Sequence, residues 1–373
     1  MEFLKISNDR DEQIAIAKKI VETKKKNYSE ERVAWMRKSL ESLATDSLRA
    51  SISLDDLFYI SIYDYWVYGN TVSEEIYFHF PFKSHEEKSE FMTFRTRNIC
   101  MLKLNDFRDS YLFNNKYETY KLFKDYYLRD VVKIKSADDY ESFVGFIKKH
   151  SSFVVKPTSS HIGIGVHKIE LNKDDNLQDL FNTLLQQAQD NAKECFDQDD
   201  SFLLEELIDQ DERLASIHPY SVNGIRITTL RTAEGVKILY PWFKVGANKS
   251  FVTSAAFGTY DAGIDPLTGI VVTDGFKENG ESDVAHPLTG IPFKDFQIPQ
   301  WNDLVNLATQ IAASLPSTVN YVGWDMVLTP QGWSIMEGNF TGDFMWQMYY
   351  QKGFRKEFEE LTGIQLGKQY WWQ

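Results

Sequence analysis

The stretch YVGWDMVLTPQGWSIMEGNF, residues 321–340, is the most informative part of the sequence, because its pattern is typical of a strand, a tight turn and a return strand. Residues 321–328 are mostly apolar, and residues 333–340 form a second apolar run. Pro330-Gln331-Gly332 between them is typical of a three-residue hairpin loop with glycine in the last position. The sequence therefore predicts an antiparallel β-hairpin here.

This hairpin loop pairs Thr329 with Trp333, so we expect Asp325 directly opposite Glu337. Opposed side chains share one face, with Cβ atoms roughly 5 Å apart. Asn339, two residues beyond Glu337, points to the same face. Two carboxylates that converge are costly without a cation, and hard oxygen ligands suit Mg²⁺. The alternative is an exposed hairpin face with scattered polar residues.

The composition indicates an ordinary globular protein of two or three domains, with 373 residues, 43% hydrophobic and 25% charged. A net charge of -13 without a basic domain argues against nucleic acid as the main partner. Cys100 and Cys195 have no metal-ligand or redox spacing, so we expect free thiols in a reducing compartment. No apolar targeting segment or membrane-length apolar span is visible, which makes the cytoplasm the expected location.

Periodicity predicts a mainly helical region over residues 1–115, in which Ser84-x-x-Glu87 is a capping box that opens a helix carrying Phe91, Met92 and Phe94. The later predicted helices cover residues 116–128, 137–149, 177–196, 301–314 and 344–361. The predicted strands before the hairpin cover residues 131–135, 153–156, 166–170, 202–206, 225–231, 237–244 and 270–273. This is an α+β pattern of antiparallel hairpins, without a G-x-G-x-x-G or Walker loop.

Three strands carry charged residues in apolar surroundings. Lys156 ends an apolar strand, and the loop 158–165 behind it offers backbone N–H groups, hydroxyls and two glycines that suit a phosphate. An ordinary hairpin loop is an equal alternative.

Glu205 and Glu206 face opposite sides of their strand, so one of them could bind adenine or ribose, although an exposed pair at a strand end is as common. Arg226 lies in a β-branched strand and needs a phosphate or a carboxylate, and a structural salt bridge satisfies it equally.

The order of these features along the chain resembles the ATP-grasp superfamily, and most closely its sugar-transfer-associated family, which is related to the α-L-glutamate ligase-like proteins. The resemblance covers residues 105–361. The motifs that carry it are Phe153-Val-Val-Lys-Pro157, Glu206-Leu-Ile-Asp-Gln210, Pro219-Tyr-Ser-Val-Asn-Gly-Ile-Arg-Ile-Thr-Thr-Leu-Arg231, His286-Pro-Leu-Thr-Gly290, Gly323-Trp-Asp325 and Glu337-Gly-Asn339. It implies a helical region at 1–115, followed by two α+β subdomains that grip ATP, a lid at 116–200 and a core with the metal site at 201–373.

The resemblance also implies roles for individual residues. Arg226 and Lys244 would be catalytic, and Asp325, Glu337 and Asn339 would hold Mg²⁺. The residues implied to bind ATP are Lys116, Lys156, Ser159, Ser160, Gly163, Gly165, Glu205, Glu206, Leu207 and Ile208. Two segments depart from the family pattern: Ile164 replaces a phosphate-loop lysine, and residues 255–261 replace a segment with an Asn and a Gly-Gly pair.

The activity implied by the resemblance is ATP-dependent ligation of a carboxylate to an amine through an acyl phosphate. A sugar, a uronic acid or an amino acid in surface polysaccharide biosynthesis is the implied substrate, and enzymes of that process are the implied partners. The alternatives are a phosphotransferase acting on a hydroxyl and a nucleotide-binding module without turnover.

Overall fold

The computed structural model describes residues 3–159, 165–194, 199–249, 258–277, 280–342 and 344–366. The chain divides into two compact units. Unit 1 comprises Met1–Leu104, Phe276–Ser282 and Asp343–Gln373, and unit 2 comprises Asn105–Gly275 and Asp283–Gly342. The predicted subdomain boundaries at 115 and 200 stay predictions. Within the described ranges, no helix combines the length and the apolarity needed to cross a membrane.

Helices and strands alternate irregularly along the chain, as the α+β prediction expects. The helices are α1 (Arg10–Thr23), α2 (Glu30–Leu43), α3 (Asp46–Ser51), α4 (Leu54–Tyr68), α5 (Val72–Tyr77), α6 (His85–Ser89), α7 (Phe94–Leu104), α8 (Tyr111–Asn114), α9 (Lys116–Phe123), α10 (Tyr140–Ile147), α11 (Leu177–Glu194), α12 (Glu212–Ala215), α13 (Trp301–Ala313), α14 (Trp346–Tyr350) and α15 (Arg355–Thr362). The strands are β1 (Val131–Ile134), β2 (Ser152–Pro157), β3 (His167–Glu170), β4 (Phe202–Glu206), β5 (Gly224–Thr232), β6 (Gly235–Gly246), β7 (Thr259–Gly263), β8 (Gly275–Phe276), β9 (Ser282–Asp283), β10 (Tyr321–Thr329) and β11 (Gly332–Asn339).

Unit 1 is helical, and short polar residues cap its helices. The predicted capping box of Ser84 and Glu87 is confirmed at the start of α6. The prediction that this helix continues through Phe91 and Met92 is wrong, because α6 ends at Ser89. The Met92 N–H donates to the side chain of Gln347 at 2.8 Å instead of to a helical carbonyl. The N–H groups of Glu90 and Phe91 donate three residues back, to the carbonyls of Glu87 and Lys88, so the α-helix has already ended before Met92.

The predicted helix over residues 344–361 is also wrong as a single element, because α14 and α15 are separate. Gln351 adopts a left-handed conformation with φ of 50°, which ends α14. A Cβ atom at Gly353 would lie 2.2 Å from the backbone of Glu90. This close approach requires glycine and leaves no room for a continuous helix with a side chain at that position.

Unit 2 contains two antiparallel sheets. The smaller sheet has the order β1-β4-β2-β3, and the larger has the order β11-β10-β5-β6-β7-β8-β9. Aromatic residues of α10 and α11, including Phe143 and Phe181, pack on the apolar residues of the smaller sheet. Leu304, Ala308 and Ile311 form the apolar face of α13 and belong to the core of the larger sheet. Both sheets are therefore anchored by amphipathic helices.

One predicted strand is wrong. Residues 270–273 form only isolated bridges, Ile264 with Val271 and Ile270 with Gln297, while β7 pairs with β6. The sequence of β7, Thr-Tyr-Asp-Ala-Gly, has little strand propensity, and its pairing depends on the neighbouring strand rather than on local preference. Tertiary context therefore decided which of the two segments joined the sheet.

Candidate active site

The β10–β11 hairpin places Asp325 opposite Glu337 as predicted, but by a different register. The turn is one residue shorter than expected, since Thr329 pairs with Gly332 and not with Trp333. A β-bulge after Asp325 pairs Met326 with Ile335 and so leaves one extra residue on β11. The shorter turn and the bulge offset each other.

The Asp325 carboxylate lies among cationic side chains. Arg226, its neighbour across the β5–β10 ladder, donates from Nε to Oδ1 at 2.8 Å and from Nη2 to Oδ2 at 3.0 Å. Lys244 Nζ lies 3.5 Å from Oδ1, and the Asn339 amide lies 3.4 Å from Oδ2. The alternative of a salt bridge for Arg226 is thus realised. Arg226 also lies over the ring of Trp242, 5.5 Å from its centroid.

These neighbours determine the ionisation of Asp325. Burial raises the pKa of this carboxyl, but the charges of Arg226 and Lys244 outweigh burial and lower the pKa from 3.8 to about 2. Asp325 is therefore an anion at neutral pH. With Glu337 and the amide oxygen of Asn339, it provides a donor set whose chemistry fits Mg²⁺.

A second group of charges surrounds Glu205. This side chain is buried, and its Oε1 lies 2.5 Å from Lys156 Nζ. Its Oε2 lies 2.9 Å from Nη2 of Arg129. Burial raises the pKa of Glu205, but the two cations lower it overall; burial also lowers the pKa of Lys156. Glu205 is thus a carboxylate shared between two cations.

Lys116, at the start of α9, contacts β11 through its side chain and the segment that follows β2 through its backbone. Its Nζ lies 3.5 Å from Glu337, while its backbone N–H donates to Thr158 at the end of β2. Across the site, the cations Lys116, Arg129, Lys156, Arg226 and Lys244 face the carboxylates Glu205, Asp325 and Glu337. Asp261, opposite Lys244 in the β6–β7 ladder, adds a further carboxyl group to this face. A cluster of five cations suits the oxygens of a polyphosphate, and the carboxylates among them suit a metal ion that accompanies it.

The remaining predicted residues occupy adjacent loops or other faces. Glu206 is on the opposite side of β4 from Glu205, where it accepts from the backbone of Asp130 at 2.9 Å. Leu207 and Ile208 follow β4 and are half-buried, and Ser159 follows β2. Gly165 has φ of 73° and leads towards β3. Ser160, Gly163 and Ile164 of the loop, Cys195, and residues 255–257 lie outside the described residues.

Sequence reasoning missed two features. Arg129 is buried beside Glu205, but 76 positions separate them in the sequence, and only the pairing of Val131 with Glu205 would have indicated their proximity. Asp130, His150 and Glu206 also group their ligand atoms closely enough for a metal ion. His150 already contacts Asp130 at 2.9 Å. No sequence spacing indicated this group.

The chain is similar, at low sequence identity, to several solved structures. They include a D-alanine-D-alanine ligase from Coxiella burnetii (13% identity, TM-score 0.39, 69% of this chain and 59% of that chain). The corresponding enzyme from Helicobacter pylori has 15% identity and a TM-score of 0.39, over 69% and 60%. An L-amino acid ligase from Bacillus licheniformis has 13% identity and a TM-score of 0.36, over 65% and 48%. The match thus spans less than two thirds of each of these proteins.

A comparison with curated proteins found no match. The family described as sugar-transfer associated ATP-grasp matches residues 95–363, which is most of the chain and includes both sheets and the charged site. The predicted ATP-grasp fold, preceded by a helical N-terminal region, is confirmed. This chain belongs to the sugar-transfer associated ATP-grasp family.

Proposed function

We propose that this protein is an ATP-dependent ligase that joins a carboxylate to an amine. The observation that carries the proposal is the cluster of five cations around a hairpin that presents Asp325, Glu337 and Asn339 on one face. A polyphosphate with its metal ion needs cations for its oxygens and hard oxygen ligands for the metal. This arrangement supplies both, and the family membership supports ATP as the polyphosphate.

In this proposal ATP lies between the two sheets of unit 2. We assign contacts with the α- and β-phosphates to Lys116 and Lys156, in keeping with the family resemblance. Their ammonium groups now pair with Glu337 and Glu205. Ser159 and Gly165 are proposed to contribute to phosphate binding, as are Ser160 and Gly163, which lie outside the described residues. Leu207, Ile208 and the backbone near Glu206 hold the adenine.

Asp325, Glu337 and Asn339 are the residues that would hold Mg²⁺. A metal ion held by these residues would supply charge neutralisation for the phosphate groups. Asp325 suits this role because its lowered pKa keeps it anionic. Arg226 and Lys244, which contact Asp325, lie where they can also stabilise the transferred phosphoryl group.

The proposed reaction has two displacements. A substrate carboxylate oxygen attacks the γ-phosphorus of ATP, the bond to ADP breaks, and an acyl phosphate forms. The amine nitrogen then attacks the acyl carbon, the bond to phosphate breaks, and the nitrogen loses a proton to give an amide. The protein residues position the reactants and stabilise charge, as in phosphoryl transfer generally. We propose a sugar, a uronic acid or an amino acid of a surface polysaccharide as substrate, in keeping with the family description.

The proposal is tested by incubating the protein with ATP, Mg²⁺ and mixed amino acids and uronic acids, followed by mass spectrometry and phosphate analysis. A ligase gives ADP, free phosphate and an amide whose mass is the sum of the masses of the acid and the amine minus one water. Hydroxylamine in place of the amine traps the acyl phosphate as a hydroxamate. A phosphorylated acceptor without free phosphate would instead identify a phosphotransferase.

Asp325→Asn tests the metal assignment in the same assay, with Asp174→Asn as the matched control because Asp174 lies in an exposed turn before α11. We expect Asp325→Asn to lose turnover by at least about 100-fold, as for the loss of other transition-state charge stabilisation. Asp174→Asn should keep the wild-type rate. Unchanged turnover in Asp325→Asn would show that this carboxylate is not a metal ligand.

A further inference from the structure

Arg129 joins two parts of the proposed site that come from different sheets. It lies just before β1, and its side chain is 4% exposed. One part of its guanidinium contacts Glu205 of the smaller sheet, with Nε donating to Oε2 at 3.0 Å. Nη1 donates to the carbonyl of Ile335 at 2.6 Å, and Nη2 lies 3.5 Å from the carbonyl of Met336, both in the larger sheet. The guanidinium carbon also lies over the ring of Tyr127, 4.6 Å from the ring centroid. A planar fork of donors is what allows one side chain to make all these contacts.

The first consequence concerns the charge of Lys156. Glu205 with Lys156 alone would form a neutral buried pair, and a phosphate that drew the ammonium away would leave the carboxylate without a counter-charge. Arg129 adds a second cation to the same carboxylate, so the three side chains together carry one net positive charge. A phosphate oxygen can therefore pair with Lys156 without leaving Glu205 as an unpaired buried anion.

The second consequence concerns the position of Glu337. The carbonyls that Arg129 contacts belong to Ile335 and Met336, the residues at the β-bulge. The bulge is what brings Glu337 opposite Asp325, since without the extra residue the strand would be shifted by one. Arg129 thus restrains the backbone immediately before a proposed metal ligand.

We propose that Arg129 is a positioning residue of the nucleotide site, which balances the charge of Glu205 so that Lys156 can bind phosphate and restrains the β11 bulge so that Glu337 meets the metal. In this role it acts through Glu205 and the backbone before Glu337. This inference rests on the proposed function, because it concerns the same nucleotide and metal site.

The test is calorimetric binding of ADP to the full chain, once with Mg²⁺ and once with EDTA. Arg129→Met removes both effects, so we expect Mg²⁺-dependent affinity for ADP to fall about 10- to 100-fold, as when other residues that support metal ligands are lost. Arg129→Lys keeps the charge but loses the fork. It should bind ADP in EDTA within about twofold of wild type while losing most of the Mg²⁺-dependent gain.

Arg213→Met is the matched control, because Arg213 is exposed and pairs with Asp211 at 2.8 Å outside the site. Its ADP affinity should match wild type in both solutions. Thermal unfolding of each variant without ligand shows whether it is folded, and if Arg129→Met does not fold, the folded Arg129→Lys variant decides the matter.

The outcomes separate the two proposals. If wild-type protein binds ADP and folded Arg129→Lys shows the same Mg²⁺-dependent gain as wild type, the positioning role is overturned while the proposed function stands. If wild-type protein binds neither ADP nor ATP with Mg²⁺, the proposed function is overturned and the positioning role with it. A selective loss of the Mg²⁺-dependent gain in Arg129→Lys supports both.

Discussion

Asp325→Asn should destabilise unit 2 in a way that depends on pH. Wild-type Asp325 is paired with Arg226 through two hydrogen bonds and lies 3.5 Å from Lys244. The pKa of Asp325 is lowered in the folded protein from 3.8 to about 2. A lowered acid pKa gives stability that is fully present above the unfolded pKa and is lost as the pH falls through the folded pKa.

The size of the effect follows from the shift. Each unit of pKa corresponds to about 1.4 kcal/mol, so the shift of Asp325 contributes about 2.5 kcal/mol to the free energy of unfolding at pH 7. About half of this contribution should be gone by pH 3. The asparagine variant also leaves Arg226 and Lys244 without their carboxylate, which adds destabilisation at every pH.

Urea unfolding followed by tryptophan fluorescence between pH 7 and pH 3 measures this effect. The difference in unfolding free energy between wild type and Asp325→Asn should be at least about 2.5 kcal/mol at pH 7 and about 1 kcal/mol smaller at pH 3. Asp174→Asn, in an exposed turn, should change stability by no more than about 0.5 kcal/mol. A difference that stays constant across this pH range would refute the ion-pair account of Asp325.

Two further variants test other buried groups. Burial and the neighbouring Asp64 raise the pKa of Glu75 well above its usual value, so the contribution of Glu75 to stability is fully present below pH 4.5 and is lost as pH rises through the folded pKa. Thermal unfolding from pH 5 to pH 8 should show a smaller decline in Glu75→Gln, and parallel profiles would contradict this. In Gly338→Ala, the new Cβ would lie 2.8 Å from Phe113, so the urea midpoint should fall by the equivalent of about 1–3 kcal/mol. Gly145→Ala, in α10 with no atom within 4 Å of its Cβ, should instead be stabilising.

The elements with strong local signals could be predicted from the sequence. The bounds of β4 are as predicted, because an apolar run with a polar end leaves little choice of register. The hairpin was predicted because its two apolar runs flank proline and glycine. Its turn was one residue too long in the prediction, since the bulge on β11 has no sequence signal of its own. The predicted turn was one residue too long and the bulge was not predicted. These two errors cancelled, so the predicted pairing of Asp325 with Glu337 was correct.

Long-range contacts could not be predicted in the same way. Arg226 and Asp325 are adjacent only because β5 pairs with β10, and 99 positions separate them. The presence of a charge inside an apolar strand indicated that a partner exists, but not which one. Arg129 precedes its strand and gave no such indication. The break before Gly353 likewise depends on the backbone of Glu90, which no local pattern reveals.

The paired charges of unit 2 also bear on how the proposed substrates would bind. An unpaired buried charge is costly, so a protein that needs both cations and carboxylates at one site gains by pairing them while no ligand is bound. Asp325 with Arg226, and Glu205 with Lys156, are such pairs. Under the proposed function, a metal–polyphosphate complex brings both signs of charge together, so cations can turn to phosphate as carboxylates turn to metal. A nucleotide without metal would supply negative charge for the cations, but no positive charge for Asp325 once Arg226 turns to the phosphate. Binding should therefore depend steeply on Mg²⁺.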